Sequence, residues 1–241
     1  MERSSSCFAL VLRVRSSGES NREASFLSAQ EGIINATLFG GPKSTLRSHV
    51  SPFNSGTLWI YRDPAKDFRK VSDFDVQSWR PGIRELYERS STASRIAGAL
   101  LAGHGGGGAW AEVLTLTGSA LDALEGADEV CCERIFLHFL WNWTALQGDR
   151  GDPGRCIFCA CEPGSDGVLW FVPGEGFLCK NCMLREQPGR GLALGPGARR
   201  WLLEVQNLAP GDLARHVPDS DSLDEIRAMV DYLETEAQGR R

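Results

Sequence analysis

The stretch CFALVLRVR, residues 7–15, decides how the opening part of the chain folds. It is aliphatic almost throughout, and alternation puts Arg13 and Arg15 on one strand face, opposite Leu12 and Val14. Such a run reads as a strand with a solvent face. Four more follow before residue 80, at 24–28, 33–39 (IINATLF), 56–62 (GTLWIYR) and 68–77 (FRKVSDFDVQ). Gly18, Glu31-Gly32, Gly40-Gly41-Pro42 and Asp63-Pro64 punctuate them. Five short strands with turn residues between them predict a small barrel of the OB type over residues 1–80.

From Pro81 onward the apolar period changes to about 3.6. Ile83, Leu86, Ala97 and Leu100 mark one helix, and Trp110, Val113, Leu121 and Leu124 a second, after the glycine-rich joint GHGGGG at 103–108. Residues 130–146 pack Ile135, Phe136, Leu137, Phe139, Leu140, Trp141 and Trp143 so densely that few faces remain for water, which predicts the central helix of a bundle. Helical periodicity returns at 199–208 and at 222–237, where Ser222-x-x-Glu225 reads as a capping box. Between these helices lies a Gly/Cys/aromatic segment too short for a conventional core, so it needs a staple. The expected class is α+β: an OB-fold barrel (1–80), a helical bundle domain (81–152 and 190–241), and a four-Cys ribbon inserted at 153–189.

The chain has 241 residues, 42 % apolar and 24 % charged, an ordinary globular composition. Its net charge of -5 divides unevenly, because residues 1–80 carry 11 Lys+Arg against 8 Asp+Glu, and residues 81–241 carry 15 against 23. A grip on nucleic acid through the whole surface is excluded, whereas a local one on the N-terminal part is allowed. The apolar run at 7–12 is cut by Arg13 and Arg15 far short of the ~20 residues of a membrane span. A soluble, cytoplasmic protein without a membrane partner is expected.

Cys156-Ile-Phe-Cys159 and Cys179-Lys-Asn-Cys182 stand 19 residues apart. Two residues between cysteines let both sulfurs of a pair turn onto one ion, and two such knuckles complete a tetrahedral shell. One structural Zn²⁺ is the expected cofactor, held by Cys156, Cys159, Cys179 and Cys182. The aromatic run at 168–172, a turn, and Phe177-Leu178 supply the hairpin that carries the second knuckle. Cys161 is an alternative ligand to Cys159, and a redox pair or metal-free thiols are the competing readings. Cys7, Cys131 and Cys132 read as small buried hydrophobes.

The basic residues of the barrel are Arg13, Arg15, Arg22, Lys43, Arg47 and His49, with Trp59 and Tyr61 on a nearby strand. Such a face can bind phosphates and stack bases; the bland alternatives are a solvated edge and aromatic barrel packing. Enzyme motifs fail on residues. In the run Gly40-Gly41-Pro42-Lys43-Ser44-Thr45, Pro42 stands where a phosphate loop needs Gly, so no nucleotide cofactor is expected. His104 reads as a loop residue and His138 as a packed helix residue, and no acid/base pair is visible.

The N-terminal text resembles the RecO family of bacterial recombination mediators. The likeness is carried by Ala9-Leu10-Val11-Leu12-Arg13, Gly18-Glu19-Ser20, Phe26-Leu27-Ser28, Gly32, Phe39-Gly40, Pro42-Lys43-Ser44-x-Leu46 and Pro52-Phe53. A helical domain interrupted by two Cys-x-x-Cys pairs around a Gly-rich hairpin is similar to that family too. The resemblance implies an OB fold, a zinc ribbon and a non-enzymatic protein of DNA repair and homologous recombination. It also implies binding of single-stranded and duplex DNA, strand annealing, and help in loading recombinase on coated strands. The implied partners are single-stranded DNA, RecR and the C-terminal tail of single-stranded DNA-binding protein, at the bacterial nucleoid. Carried over by position, Arg13, Arg22, Lys43 and Arg47 fall in the family's basic stretches. Where relatives usually carry Lys before the Gly, this chain has Phe39, which implies DNA affinity that is weaker or more dependent on RecR.

For the tail, which is apolar and acidic, Arg134 with Leu137 and Trp141 is the expected contact, since only this stretch offers a cation beside a dense apolar run. The rival functions are a zinc-containing protein adaptor with an inert barrel, and a zinc hydrolase, which a filled four-Cys shell would deny.

Overall fold

The computed structural model describes residues 4–18, 21–41, 44–103, 108–148, 150–164, 167–172, 175–187 and 191–239. Lys43 and His104 therefore lie outside the described residues. The chain forms two compact units, Met1–Gly126 and Ala127–Arg241.

In the first unit, β1 (Ser4–Ser17), β2 (Asn21–Ser28), β3 (Gly32–Leu38), β4 (Ser55–Asp63) and β5 (Phe68–Ser78) close into a barrel in the order β1-β2-β3-β5-β4. The expected OB-type barrel is present. Its long first strand serves both neighbours: residues 9–17 pair with β2, and residues 4–10 with β4. All pairings are antiparallel except β3 with β5. Ala9, Val11, Phe26, Ile34, Leu58 and Phe74 lie in the interior cluster. A helix that the strand periodicity gives no sign of, α1 (Thr45–His49), separates β3 from β4. Its Leu46 and the following Val50 pack against that interior.

A register shift between Val11 and Arg13 changes which β1 side chains face out. Strict alternation from Ala9 and Val11 would turn Arg13 into the barrel. The bulge resets the phase, so Val14 packs against the interior and Arg13 and Arg15 point outward. Two glycines are required by close approach. A Cβ at Gly56 would lie 1.9 Å from the Asp75 carbonyl oxygen across the β4/β5 pair. At Gly32, which turns the chain with φ +68, a Cβ would enter the Trp110 ring. Trp110 begins α3 (Trp110–Leu124), which with α2 (Tyr87–Ala102) belongs to the same unit; α3 touches β2, and α2 touches β1.

The second unit is built on α4 (Glu129–Leu146), capped by Asp128, whose carboxylate accepts the Cys131 N–H at 2.7 Å. Phe136, Phe139, Leu140, Trp141 and Trp143 are all buried, as expected of a central helix. β6 (Leu169–Val172) and β7 (Gly176–Cys179) make the expected hairpin, and β8 (Leu192–Leu194) adds a third strand on β6. The helices α5 (Lys180–Glu186), α6 (Pro196–Val205) and α7 (Ser220–Gly239) complete the unit. The capping box is corrected. Asp219, not Ser222, caps α7 by accepting the Ser222 N–H at 2.9 Å, while Glu225 reaches away and accepts the Gly195 N–H, ahead of α6, at 2.7 Å. Asp219 thus serves the start of α7, and Glu225 the start of α6.

Candidate nucleic-acid interface and metal centre

On the outer face of the barrel, strand pairing lines up one row of side chains. Arg15 pairs with Glu23, Glu23 with Thr37, and Thr37 with Lys70, across β1, β2, β3 and β5. At about 4.8 Å per strand, the two end cations stand about 14 Å apart. The next row places Arg13 opposite Ser25 and Ser25 opposite Asn35, with Ser25 Oγ donating to Asn35 Oδ1 at 2.7 Å. Among the described residues of these two rows, three cations, Arg13, Arg15 and Lys70, stand with one acid, Glu23. Arg13 is half-buried, and burial, followed by the neighbouring charge of Arg15, holds its pKa below the usual arginine value. Its Nε is buried with no hydrogen-bond partner among the described residues.

Aromatic rings flank the row. Phe39, 41 % exposed, follows β3, packs on Phe68 with centroids 6.0 Å apart, and carries the Lys70 ammonium 5.7 Å from its ring centre. Cations with an exposed ring on the strand 2–3 face of an OB barrel have the chemistry of a single-strand platform: phosphates meet charge, and bases meet a π-face. Lys70 and Phe68 were not singled out from sequence, and Phe39 only as the residue standing where relatives usually carry Lys. Counting outward from the interior residue Val71 turns Lys70 to the surface, but only the strand register brings it beside Thr37 and Phe39.

The other basic candidates lie elsewhere in this unit. Arg22 stands opposite Leu38, an interior position, and so belongs to the barrel rim. Arg47 and His49 sit on α1, where His49 Nδ1 lies 3.1 Å from the Phe74 carbonyl oxygen and its ring meets the edge of exposed Trp79 at 5.4 Å. Trp59 points outward rather than into barrel packing, 38 % exposed between Ser6 and Asp73. Ser6 and Arg13 are seven residues apart on β1, about 23 Å of extended strand, so Trp59 does not join the arginines. Arg62 and Arg69 are both engaged by Glu31.

In the second unit the four expected cysteines converge. The sulfurs of Cys156, Cys159, Cys179 and Cys182 all lie within 4.8 Å of one another, with Cys159 and Cys179 at 3.6 Å. A tetrahedral shell with metal–sulfur bonds of about 2.3 Å requires sulfurs about 3.8 Å apart, so the donor set fits a soft or borderline cation. Burial raises the Cys156 pKa, but the N–H groups of Cys159, Cys179 and Phe158 outweigh it and bring the thiol down to about 6. Cys179 is lowered first by the Cys182 N–H. Backbone dipoles thus favour the thiolate at Cys156 and Cys179, whereas burial and the neighbouring thiols push Cys182 up to about 12. Cys156 and Cys182 are buried, Cys179 is half-buried and Cys159 is exposed. The ribbon's own cluster consists of those two buried cysteines with Val172 and Leu178, flanked by Cys179 and Met183, so thiols replace much of an apolar core.

Arg199, which sequence reasoning missed, ties the ribbon to α6. It is buried, donates from Nε to the Pro153 carbonyl at 3.1 Å and from Nη1 to the Gly167 carbonyl at 2.7 Å, and burial lowers its pKa. The expected tail contacts are buried as well. Trp141 is fully buried and gives its indole N–H to the Leu202 carbonyl at 3.1 Å, and Leu137 is 3 % exposed. Arg134 is 6 % exposed, and its Nε and Nη1 have no hydrogen-bond partner among the described residues. His138 is the packed helix residue expected, with Nε2 3.0 Å from the Leu208 carbonyl. Cys132 is buried, while Cys7 and Cys131 are half-buried, with burial raising both of their pKa values.

Residues 1–78 match the family described as recombination protein O N terminal. The DNA repair protein RecO of Oleidesulfovibrio alaskensis is 30 % identical over 176 residues, covering 71 % of this chain and 70 % of that protein. The chain belongs to the RecO family. RecO of Solidesulfovibrio magneticus is 25 % identical over 228 residues, covering 93 % of this chain and 91 % of the relative. RecO of Heliobacterium modesticaldum is 28 % identical over 218 residues, 86 % and 75 % of the two chains. RecO membership thus extends past the barrel into the helical and ribbon text. Among the described residues no helix is long and apolar enough to cross a membrane.

Proposed function

We propose that the chain is a DNA-repair and recombination mediator that binds single-stranded DNA on the outer face of its barrel. The observation that carries this reading is the Arg15–Glu23–Thr37–Lys70 row with Arg13 beside it and Phe39 and Phe68 at its end. Cations hold the backbone without reading sequence, and Phe39 stacks a base. Arg22 at the rim, Lys43, and Arg47 and His49 with Trp79 extend the charge available to a longer strand or a duplex. Trp59 stands apart from this row, between Ser6 and Asp73, and is not part of the single-strand contact in this reading. The mechanism is binding and strand annealing, with no covalent chemistry.

The partners in this reading are RecR and the acidic C-terminal tail of single-stranded DNA-binding protein, at the bacterial nucleoid. The buried Arg134, whose Nε and Nη1 lack partners among the described residues, is supported as the donor to the tail's carboxylate, because buried N–H groups without an acceptor gain most from an anion. Leu137 and Trp141 would act through the packing that holds Arg134. The four cysteines would hold one structural Zn²⁺, which supplies a cross-link and no reactive position. Annealing of complementary strands by the purified protein, with and without RecR, tests the reading. Strand binding and annealing support it; an inert barrel that binds only protein partners makes the chain an adaptor instead.

A further inference from the structure

The β1/β4/β5 side of the barrel carries the opposite charge from the arginine row. Leu58 and Phe74 face the interior, so their neighbours face out, and strand register sets two outward rows, Ser6–Trp59–Asp73 and Phe8–Thr57–Asp75. Phe8 is 42 % exposed and Trp59 38 %, and both aspartates are exposed. Trp59 and Asp73 stand directly opposite each other, about 5 Å apart at Cβ, and Phe8 is the diagonal neighbour of Trp59, within about 8 Å. The ground between rings and acids is fixed. Gln77 Nε2 donates to Thr57 Oγ1 at 3.1 Å, and Asp73 Oδ1 accepts the Phe74 N–H at 2.8 Å. Among the described residues of these two rows there is no Lys or Arg, and on β5 the sign of charge changes between Lys70 and Asp73.

We propose that this face docks a Lys- or Arg-bearing apolar segment of a partner protein, with a cation lying on the Trp59 ring beside Asp73. Single exposed rings are ordinary, but two neighbouring ones on one sheet face form a patch that gains from being covered. Charge selects the occupant. A guanidinium or ammonium is drawn to the negative face of the indole, and the carboxylates of Asp73 and Asp75 supply the counter-charge. Phe8 then covers the apolar side chains of the segment. A nucleic acid would set its phosphates against two like charges, which also accounts for a Trp59 that stands apart from the arginines. The inference does not rest on the single-strand reading.

The test uses the full chain and a fluorescein-labelled octapeptide of alternating Leu and Arg, read by anisotropy, with a Leu/Glu octapeptide as control. Wild type should bind the first and not the second. Asp73→Asn/Asp75→Asn removes both charges at nearly constant shape and should weaken binding about fivefold. Trp59→Ala should weaken it by a similar factor, and Trp59→Phe by less, with circular dichroism unchanged in all three. Wild type that fails to bind the Leu/Arg peptide, or binds the Leu/Glu peptide equally, overturns the proposal. Unchanged affinity in the Asn and Ala variants does so too. Self-association of wild type in sedimentation equilibrium, lost in Asp73→Asn/Asp75→Asn, makes a second copy the occupant and overturns the assignment to a partner protein. Weaker single-strand binding by Trp59→Ala gives the face to DNA and overturns it as well. Peptide binding that depends on Asp73 and Asp75, in a chain that binds no single strand, upholds this inference and removes the DNA reading alone.

Discussion

Arg80 Nε lies 2.6 Å from Asp122 Oδ1, and this pair fastens the end of the barrel to α3. Arg80 holds a left-handed φ of 44 at a non-glycine position and is 5 % exposed. Its Nη1 donates to the Phe53 carbonyl at 2.8 Å and to Ser55 Oγ at 3.0 Å. A guanidinium that serves a carboxylate, a carbonyl and a hydroxyl together cannot be replaced by a point charge. Arg80→Ala should destabilise the first unit by about 2 kcal/mol, because the Phe53 carbonyl and Ser55 hydroxyl lose their buried donor, while Asp122 is already exposed to water. Arg80→Lys should recover less than half of that loss. Urea unfolding followed by circular dichroism reads both.

Stability of the second unit should fall below about pH 6.5, the unperturbed value for histidine. Burial pushes the His138 pKa down, partly offset by the Leu208 and Val205 carbonyls, so the folded state holds the ring neutral. The unfolded chain then binds more protons below its own pKa. The His138 contribution is fully present above the unfolded pKa, declines as pH falls through it, and levels off below the folded value. The slope is at most about 1.4 kcal/mol per pH unit. His138→Gln should remove this component between pH 7.5 and 5.5; an unchanged profile would assign it to other groups.

Metal removal should open the ribbon and spare the barrel. The ribbon's cluster is largely cysteine, so chelation takes away what holds residues 155–187 together, whereas the barrel interior contains none of those sulfurs. Limited proteolysis with and without chelator checks this. Cleavage should appear within 155–187 while residues 4–78 stay protected. Cys156→Ser should behave like the chelated protein, since its buried sulfur is one of the four that converge.

The strands were legible because alternation and turn residues are local signals, and the paired knuckles because metal geometry fixes their spacing. What the sequence hid was relational. The bulge between Val11 and Arg13 leaves no composition signal, yet it decides that the two arginines face solvent. The Ser222-x-x-Glu225 pattern satisfied a local rule, but Glu225 had a better use at Gly195, 30 residues away. Lys70 and Phe39 became neighbours only through the parallel β3/β5 pairing, which no window of sequence displays. Arg199 looked like one cation among many until its three carbonyl partners, from Pro153, Gly164 and Gly167, were brought together around it.

Base stacking should be separable from charge. Phe39→Ala should weaken single-strand binding by about 1 to 3 kcal/mol without changing its salt dependence. Trp59→Ala should leave affinity within error, because Trp59 lies between Ser6 and Asp73, away from the arginine row. Fluorescence anisotropy with a labelled oligonucleotide measures both. The opposite pattern would move the platform to the β1/β4 side of the barrel.

The claim that the row of cations on β1 and β5 grips the strand is tested most directly by salt titration of single-strand binding. If Arg13, Arg15 and Lys70 each neutralise one phosphate, log K against log[salt] should fall with a slope of about -2, at about -0.7 per contact. The triple variant Arg13→Ala/Arg15→Ala/Lys70→Ala should flatten that slope to near zero with the barrel still folded. A wild-type slope near zero, or a steep slope that the triple variant leaves unchanged, would contradict the account.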